Sequence, residues 1–330
     1  VQPSSGRGLP LPGVGSLADP AVKHLDATYF DTASLALTRA GITLRRRTGG
    51  SDAGWHLKVP AAAGARTEFG EPLKGHETPP AALLDRVRVH VRDHDLHPVA
   101  RLESRRIVHQ LLDPNGTVLA EAVDDVVQAS ATGPDGSADV SDWREWEVEL
   151  VDGSDALIDA ADAVIRAAGA TASRWPSKLA RALHGRLASR PAAPESAGLS
   201  PKSPARDVVL AHLAEQVGVI VARDPLVRTD EPDAVHKMRV ATRRLRSALA
   251  TFRPLLDRTV TDPLRNELKW IAGELGGARD AEVLRERLLA EIAAEPDELV
   301  LGPIASRIGT DLQLQHKKAH DELLVALDSG

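Results

Sequence analysis

The stretch Trp143-Arg-Glu-Trp-Glu-Val-Glu-Leu150 decides the reading of the first part of the chain. With a period of two, Glu145, Glu147 and Glu149 fall on one face of a strand and Trp146, Val148 and Leu150 on the other. A helical period would mix the two sets. Upstream, Ile42 to Thr48 repeats the alternation with the opposite charge: Thr43, Arg45 and Arg47 oppose Ile42, Leu44 and Arg46. Trp55-His-Leu-Lys58 places His56 and Lys58 opposite Trp55 and Leu57. Val99–Leu112 and Val118–Ala129 also read as strands, with the turn Asp113-Pro-Asn-Gly116 between them forming a hairpin. Taken strand by strand, this describes an antiparallel sheet with one wet face. A wet face ordinarily mixes signs, however, and here one strand presents cations and another carboxylates. A closed barrel or tunnel with Arg and Lys on one wall and Glu on the other would hold a polyanion. Its carboxylates would bind Mg²⁺ or Mn²⁺ through hard oxygen ligands.

Helical patterns flank these strands. Helices are expected near Pro80–Val91 and Ser154–Ala168, the second with Ser154 as N-cap and Gly169 as its stop, and a short one after Ser177. Pro191 to Pro204, rich in Pro, Ala and Ser, reads as a linker. Beyond it, spans near 205–223, 232–253, 261–275, 279–294 and 299–327 carry apolar residues at three- and four-residue spacing, which suits a helical bundle. The expected fold class is therefore α+β followed by all-α. Residues 1–190 form a sheet domain, 191–204 a linker and 205–330 a helical domain.

Composition narrows the chemistry. The 330 residues include no cysteine, which excludes a disulfide scaffold, a thiolate metal site and a cysteine nucleophile. No apolar run approaches the roughly 20 residues that span a bilayer, and no secretory signal pattern is visible, so a cytoplasmic location and no membrane partner are expected. Aromatic residues make up 3%, too few for the stacking platforms of single-stranded nucleic-acid binders. The net charge is −6, and neither part is basic: residues 1–190 hold 22 basic and 25 acidic residues, and residues 201–330 hold 19 and 21. Nucleic acid is therefore not an expected partner. The cations are instead clustered, at Arg45 to Arg47, at Arg105 and Arg106, and most densely between His236 and Arg246. Arg outnumbers Lys by 32 to 9, and a guanidinium can hold two phosphate oxygens at once.

The densest cluster, His236-Lys-Met-Arg-Val-Ala-Thr-Arg-Arg-Leu-Arg246, lies in a helical pattern. His236, Arg239, Arg243 and Arg246 share one face, while Met238, Ala241, Leu245, Leu249 and Phe252 form the apolar one. Asp233 is placed to cap the helix. Like charges at this spacing repel by a few tenths of a kcal/mol (~0.2–0.5) per pair. The row thus points to an external anion or to acidic neighbours on another helix, for which Glu267, Glu274 and Asp280 are candidates.

Together, Tyr29-Phe-Asp-Thr32, Gly41-Ile-Thr-Leu-Arg-Arg-Arg47, Gly54-Trp-His-Leu-Lys58, Trp143 to Leu150 and Pro176-Ser-Lys178 resemble the CYTH domain. This family is built on an eight-stranded antiparallel barrel, the triphosphate tunnel. It includes class IV adenylate cyclases, thiamine triphosphatases and inorganic tri- or polyphosphatases that depend on Mg²⁺ or Mn²⁺. The resemblance covers roughly residues 22–187. It implies phosphate binding by Arg45, Arg47, Lys58, Arg106 and Lys178, and a tunnel lining that includes Arg66 and Glu68. Asp125 or its neighbour Asp124, with Glu145 and Glu147, would be on the metal side. Lys58, Glu145 and Glu147 are the implied catalytic residues. Strand parity leaves open the choice between Arg105 and Arg106 and between Asp124 and Asp125. The family's Glu-x-Glu-x-Lys strand has no match in residues 1–25, and Gly6 to Pro20 resembles the loop that follows it, so that strand is expected upstream of Val1.

The helical segment resembles the CHAD domain. His236, Lys237, Arg239, Arg243, Arg244 and Arg246 match its histidine-and-basic signature, and Glu267 to Asp280 its next characteristic stretch. This implies binding of inorganic polyphosphate by the basic face, with Lys269 as a further contributor, and residues 205–330 would cover the first of the family's two helical halves. The combined expectation is metal-dependent hydrolysis of inorganic triphosphate or polyphosphate. The alternative is a non-catalytic, granule-associated polyphosphate-binding protein.

Overall fold

The computed structural model describes residues 11–60, 66–133, 137–188, 199–296, 299–300 and 302–329. Most of the proposed linker, and the segment before Leu11, lie outside the described residues. The chain forms two compact units, one built on a sheet and one on helices.

The sheet unit contains β1 (Ser16–Leu17), β2 (Ala21–Asp31), β3 (Thr43–Thr48), β4 (Gly54–Pro60), β5 (Arg66–Glu71), β6 (His97–Leu112), β7 (Val118–Thr132) and β8 (Ala138–Leu150). Every pairing is antiparallel, in the order β5-β4-β3-β2-β6-β7-β8, with β1 added against β6. Eight antiparallel strands agree with the expected fold class. Closure does not: among the described residues β5 and β8 pair with each other through no ladder, so the tunnel-like sheet stays open between them.

Three strands escape the sequence pattern. β1 and β5 are short, and the buried face of β2 interrupts its apolar residues with Ala27 and Asp31. Asp31 is fully buried because its carboxylate is saturated. It accepts hydrogen bonds from Thr32 N (2.7 Å), Leu37 N (2.9 Å), Thr38 N (2.9 Å) and Thr38 Oγ1 (2.6 Å), thereby fixing helix α1 (Ala36–Arg39) to the end of β2. The β3–β4 turn uses Gly49 and Gly50, both at φ +78°. A Cβ on Gly49 would lie 2.1 Å from the His24 carbonyl oxygen, so only glycine fits there.

The helix expected over Pro80–Val91 is two single turns, α2 (Ala81–Leu84) and α3 (Arg88–Val91). Helix α4 (Asp155–Ala167) ends at Gly169, φ +98°, as expected, but Ser154 makes no side-chain cap bond. Helix α5 (Lys178–Ala182) is capped by Ser177, whose side chain accepts from Ala180 N at 3.1 Å, and α6 (His184–Ala188) follows. Leu179, Ala182 and Leu183 seat this end of the chain in the sheet core with Ala27, Tyr29, Leu102, Val127, Ala129 and Trp143.

The helical unit contains α7 (Ala205–Arg228), α8 (Ala234–Thr251), α9 (Arg258–Ala294) and α10 (Ile304–Leu327), with a 3-10 turn at Arg253–Leu255. The two helices expected over 261–275 and 279–294 are one helix of 37 residues. Gly276 and Gly277 do not break it, although each glycine costs about 1 kcal/mol relative to alanine. The flanking Leu275 and Ala278 are buried against Val227, Val235, Met238 and Leu323, and this packing outweighs the local propensity. Asp233 does not cap α8 with its side chain; it pairs with Lys237 at 2.9 Å. Among the described residues no helix is long and apolar enough to cross a membrane.

Candidate functional site

One face of the sheet gathers the ionic side chains. In register, Arg106 of β6 stands beside Asp125 of β7, and Asp125 beside Glu145 of β8. Directly paired residues project to the same side of a sheet. Arg106 donates to Asp125 from Nε (2.9 Å) and Nη2 (2.7 Å), and Nη2 also lies 3.4 Å from Glu147. Lys178 opens α5, so the buried Leu179 and Leu183 hold its ammonium beneath the carboxylates. Its Nζ lies 2.5 Å from Glu145, 2.7 Å from Glu147 and 3.3 Å from Asp125. Burial works against the Lys178 ammonium, but Glu147 and Glu145 outweigh it and hold its pKa above the usual lysine value. For Arg106 too, the two-point contact with Asp125 overcomes desolvation, and the net direction is upward. Trp143 Nε1 donates to Glu145 Oε2 at 2.6 Å, and the Arg181 guanidinium covers the Trp143 ring at 4.6 Å.

This register decides the two choices left open by parity. Arg105 is exposed on the opposite face. Asp124 turns to that face as well, where it accepts from Arg144 at 2.8 and 2.7 Å. Arg106 and Asp125 are therefore the pair on the ionic face.

The second group lies on β3, β4 and β5. Glu68 gathers His56 (3.0 Å), Lys58 (3.1 Å) and Arg45 (3.8 Å). The His56 hydrogen bond leads Lys58 and Arg45 in holding the Glu68 carboxyl down at about 2, against the upward push of burial. Arg45 Nη1 also approaches the Tyr29 hydroxyl at 3.4 Å, and Arg47 reaches Asp52 in the hairpin turn. The Nε atoms of both Arg45 and Arg47 are buried without a hydrogen-bond partner. Burial, then the nearby positive charges of Arg45 and Arg106, lowers the Arg47 pKa to about 10. Arg66 stands apart: it is exposed at the start of β5 and donates to the Gly41 carbonyl at 3.0 Å, so it does not join the cluster as expected.

The carboxylates of Asp125, Glu145 and Glu147 offer oxygen atoms that all lie within 4.8 Å of one another. Three hard anionic oxygens in that space fit a divalent cation. On the neighbouring strands, Arg47 lies near the positive charges of Arg45 and Arg106, and the Nε atoms of Arg45 and Arg47 stay buried without a partner, a cradle that fits an anion.

The CYTH domain family matches residues 16–182. The chain belongs to the CYTH family. A CHAD domain follows the CYTH domain, matching residues 211–330. The carboxylate trio thus lies in a family of metal-dependent enzymes. Two Mycobacterium tuberculosis proteins, from strains CDC 1551 / Oshkosh and ATCC 25618 / H37Rv and both uncharacterized, are 40% identical to this CYTH–CHAD chain over 319 residues, covering 93% of it. The chain spans 61% of the length of these curated relatives. Among solved structures, a Bacillus halodurans protein provisionally assigned as an adenylate cyclase is 16% identical (TM-score 0.34), with coverage of 48% of this chain and 82% of that one. A Hippeastrum protein, described with a dominant triphosphatase activity, is 12% identical (TM-score 0.26), with coverage of 50% and 83%.

In the CHAD domain, α8 buries Met238, Ala241, Leu245 and Leu249 as expected. Arg239, Arg243 and Arg244 are exposed, and His236 and Arg246 half-buried. Among the described residues no carboxylate forms an ion pair with Arg239, Arg243, Arg244 or Arg246. Glu267, Glu274 and Asp280 do not neutralise the row. Arg243 and Arg244 border a groove with His212 of α7, and Arg246 borders another with Arg265, Asn266 and Lys269 of α9. The sequence motifs include Tyr29 and Trp143 but assign no site role to them or to His212. Their positions beside charged groups follow from strand register and helix packing rather than from any local motif.

Proposed function

We propose that the CYTH domain is a metal-dependent hydrolase of inorganic triphosphate or polyphosphate, and that the CHAD domain retains polyphosphate on α8. The observation that carries this reading is the meeting, on one sheet face, of a carboxylate trio with the arginines Arg45, Arg47 and Arg106, two of which keep a buried Nε unpartnered. Asp125, Glu145 and Glu147 would hold Mg²⁺ or Mn²⁺. When bound, such an ion offsets phosphate charge and lowers the pKa of water.

The chain's own residues do the rest. The buried donors of Arg45 and Arg47 take phosphate oxygens, whose charge offsets the burial and the repulsion that together lower the Arg47 pKa. Lys58, only partly committed to Glu68, grips a neighbouring phosphate oxygen. Arg106 and Lys178 bridge the two walls, touching the carboxylates from one side and the anion from the other. The fixed hydrogen bond from Trp143 holds Glu145 in one orientation and limits the reorganisation that charge development would otherwise require.

A second reading, a non-catalytic polyphosphate binder, is favoured by one observation: Arg106 and Lys178 between them already contact all three carboxylates. Phosphate release from tripolyphosphate in Mg²⁺ or Mn²⁺ separates the two. Release is the expected result. No release, with retention on a polyphosphate resin preserved, selects the binder.

A further inference from the structure

Lys23 belongs to none of the roles assigned above. It lies on β2, where Leu25, Ala27 and Tyr29 are buried and Lys23 continues their side of the strand, half-buried. Its partner in the β2–β6 register is Arg106. The row Lys23, Arg106, Asp125, Glu145 therefore crosses four strands on the ionic face, two cations followed by two carboxylates. Side chains directly opposite across antiparallel strands have Cβ atoms about 5 Å apart, and like charges there destabilise the pair.

The other cations of this face have carboxylates to offset them. Arg106 contacts Asp125 and Glu147, Lys178 contacts the whole trio, Lys58 and Arg45 face Glu68, and Arg47 reaches Asp52. Among the described residues no carboxylate forms an ion pair with Lys23. An uncommitted ammonium beside a guanidinium on a partly desolvated face is stabilised by an anion that touches both.

We propose that Lys23 is a further phosphate-binding residue of the sheet, taking the phosphoryl group next to the one held by Arg106. This rests on reading the ionic face as a phosphoanion site, and the experiment separates the two. Tripolyphosphate binding is measured by calorimetry without divalent metal. The chain carries Arg239→Glu and Arg243→Glu so that α8 contributes little. Lys23→Met is expected to weaken binding about tenfold, equivalent to about 1.4 kcal/mol, at an unchanged melting temperature, and Lys23→Arg to retain most of the affinity. Lys23→Gln, which keeps a polar end, replaces Lys23→Met if that variant melts early. Unchanged affinity in Lys23→Met, with Arg106→Met weakened, overturns the role of Lys23 and leaves the site standing. Unchanged affinity in both overturns the site and Lys23 with it. Equal losses in Lys23→Arg and Lys23→Met would assign the effect to shape and overturn a charge contact.

Discussion

In the sheet, Arg106 and Lys178 lie against Asp125, Glu145 and Glu147, whereas on α8 Arg239, Arg243, Arg244 and Arg246 form no ion pair with a carboxylate among the described residues. The first arrangement is half-buried and fixed by hydrogen bonds; the second is largely exposed and held only by the helix that displays it. The difference separates two ways of treating an anion. A compensated, partly desolvated site keeps its geometry and is screened weakly by salt, so it can support chemistry. An exposed row gains its attraction from screening-sensitive charge and suits capture of a long polyanion.

The largest expected effect breaks the sheet side of the comparison. Glu147→Gln removes one of three candidate metal ligands and a partner of Lys178. Phosphate release from tripolyphosphate should fall roughly a hundredfold, the scale on which lost charge stabilisation acts in active sites. Resin retention should persist. Release at the wild-type rate would mean that the carboxylate wall has no chemical role.

On the helical side, Arg243→Glu reverses one uncompensated charge of the row. Retention on polyphosphate resin should weaken several-fold at low salt, and the slope of log affinity against log salt should shrink by about one, the release of roughly one counterion. An unchanged elution profile would count against α8 as the capturing face.

The smallest effect concerns Glu68 and its cation partners. Its carboxyl is held at about 2, below the ordinary 4.5, with the His56 hydrogen bond as the largest cause. A depressed folded value means that the contribution is complete above the unfolded pKa and disappears as pH falls through about 2. The side chain is 40% exposed, so solvent screening keeps the contribution below about 1 kcal/mol. Glu68→Gln should therefore melt slightly below wild type at neutral pH and coincide with it near the folded value. A gap that persists in strong acid would assign the difference to packing instead of charge.

Much of this was legible in advance because the signals are local. The period of two over Trp143 to Leu150 separated the Glu face from the Trp face, and the three- and four-residue spacing over His236 to Arg246 defined the basic row. Other elements were obscured for physical reasons. The buried face of β2 ends in Asp31, which looks like a surface residue until four hydrogen bonds saturate it. The Gly276-Gly277 pair reads as a break until Leu275 and Ala278 are seen packed in the core.

The sequence by itself determined which residues share a face, since backbone geometry sets the periods of two and 3.6 whatever surrounds the chain. It also determined where the charges of each sign concentrate. Only the tertiary structure decided which face became the ionic one. Register placed Asp125 between Arg106 and Glu145, and sent Asp124 to Arg144 on the other side. The seating of α5 brought Lys178 under carboxylates far from it in sequence. Packing likewise left Glu267, Glu274 and Asp280 without an ion pair to the α8 row. A charge's partner depends on what the fold brings within a few ångströms of it, and no local pattern encodes that distance.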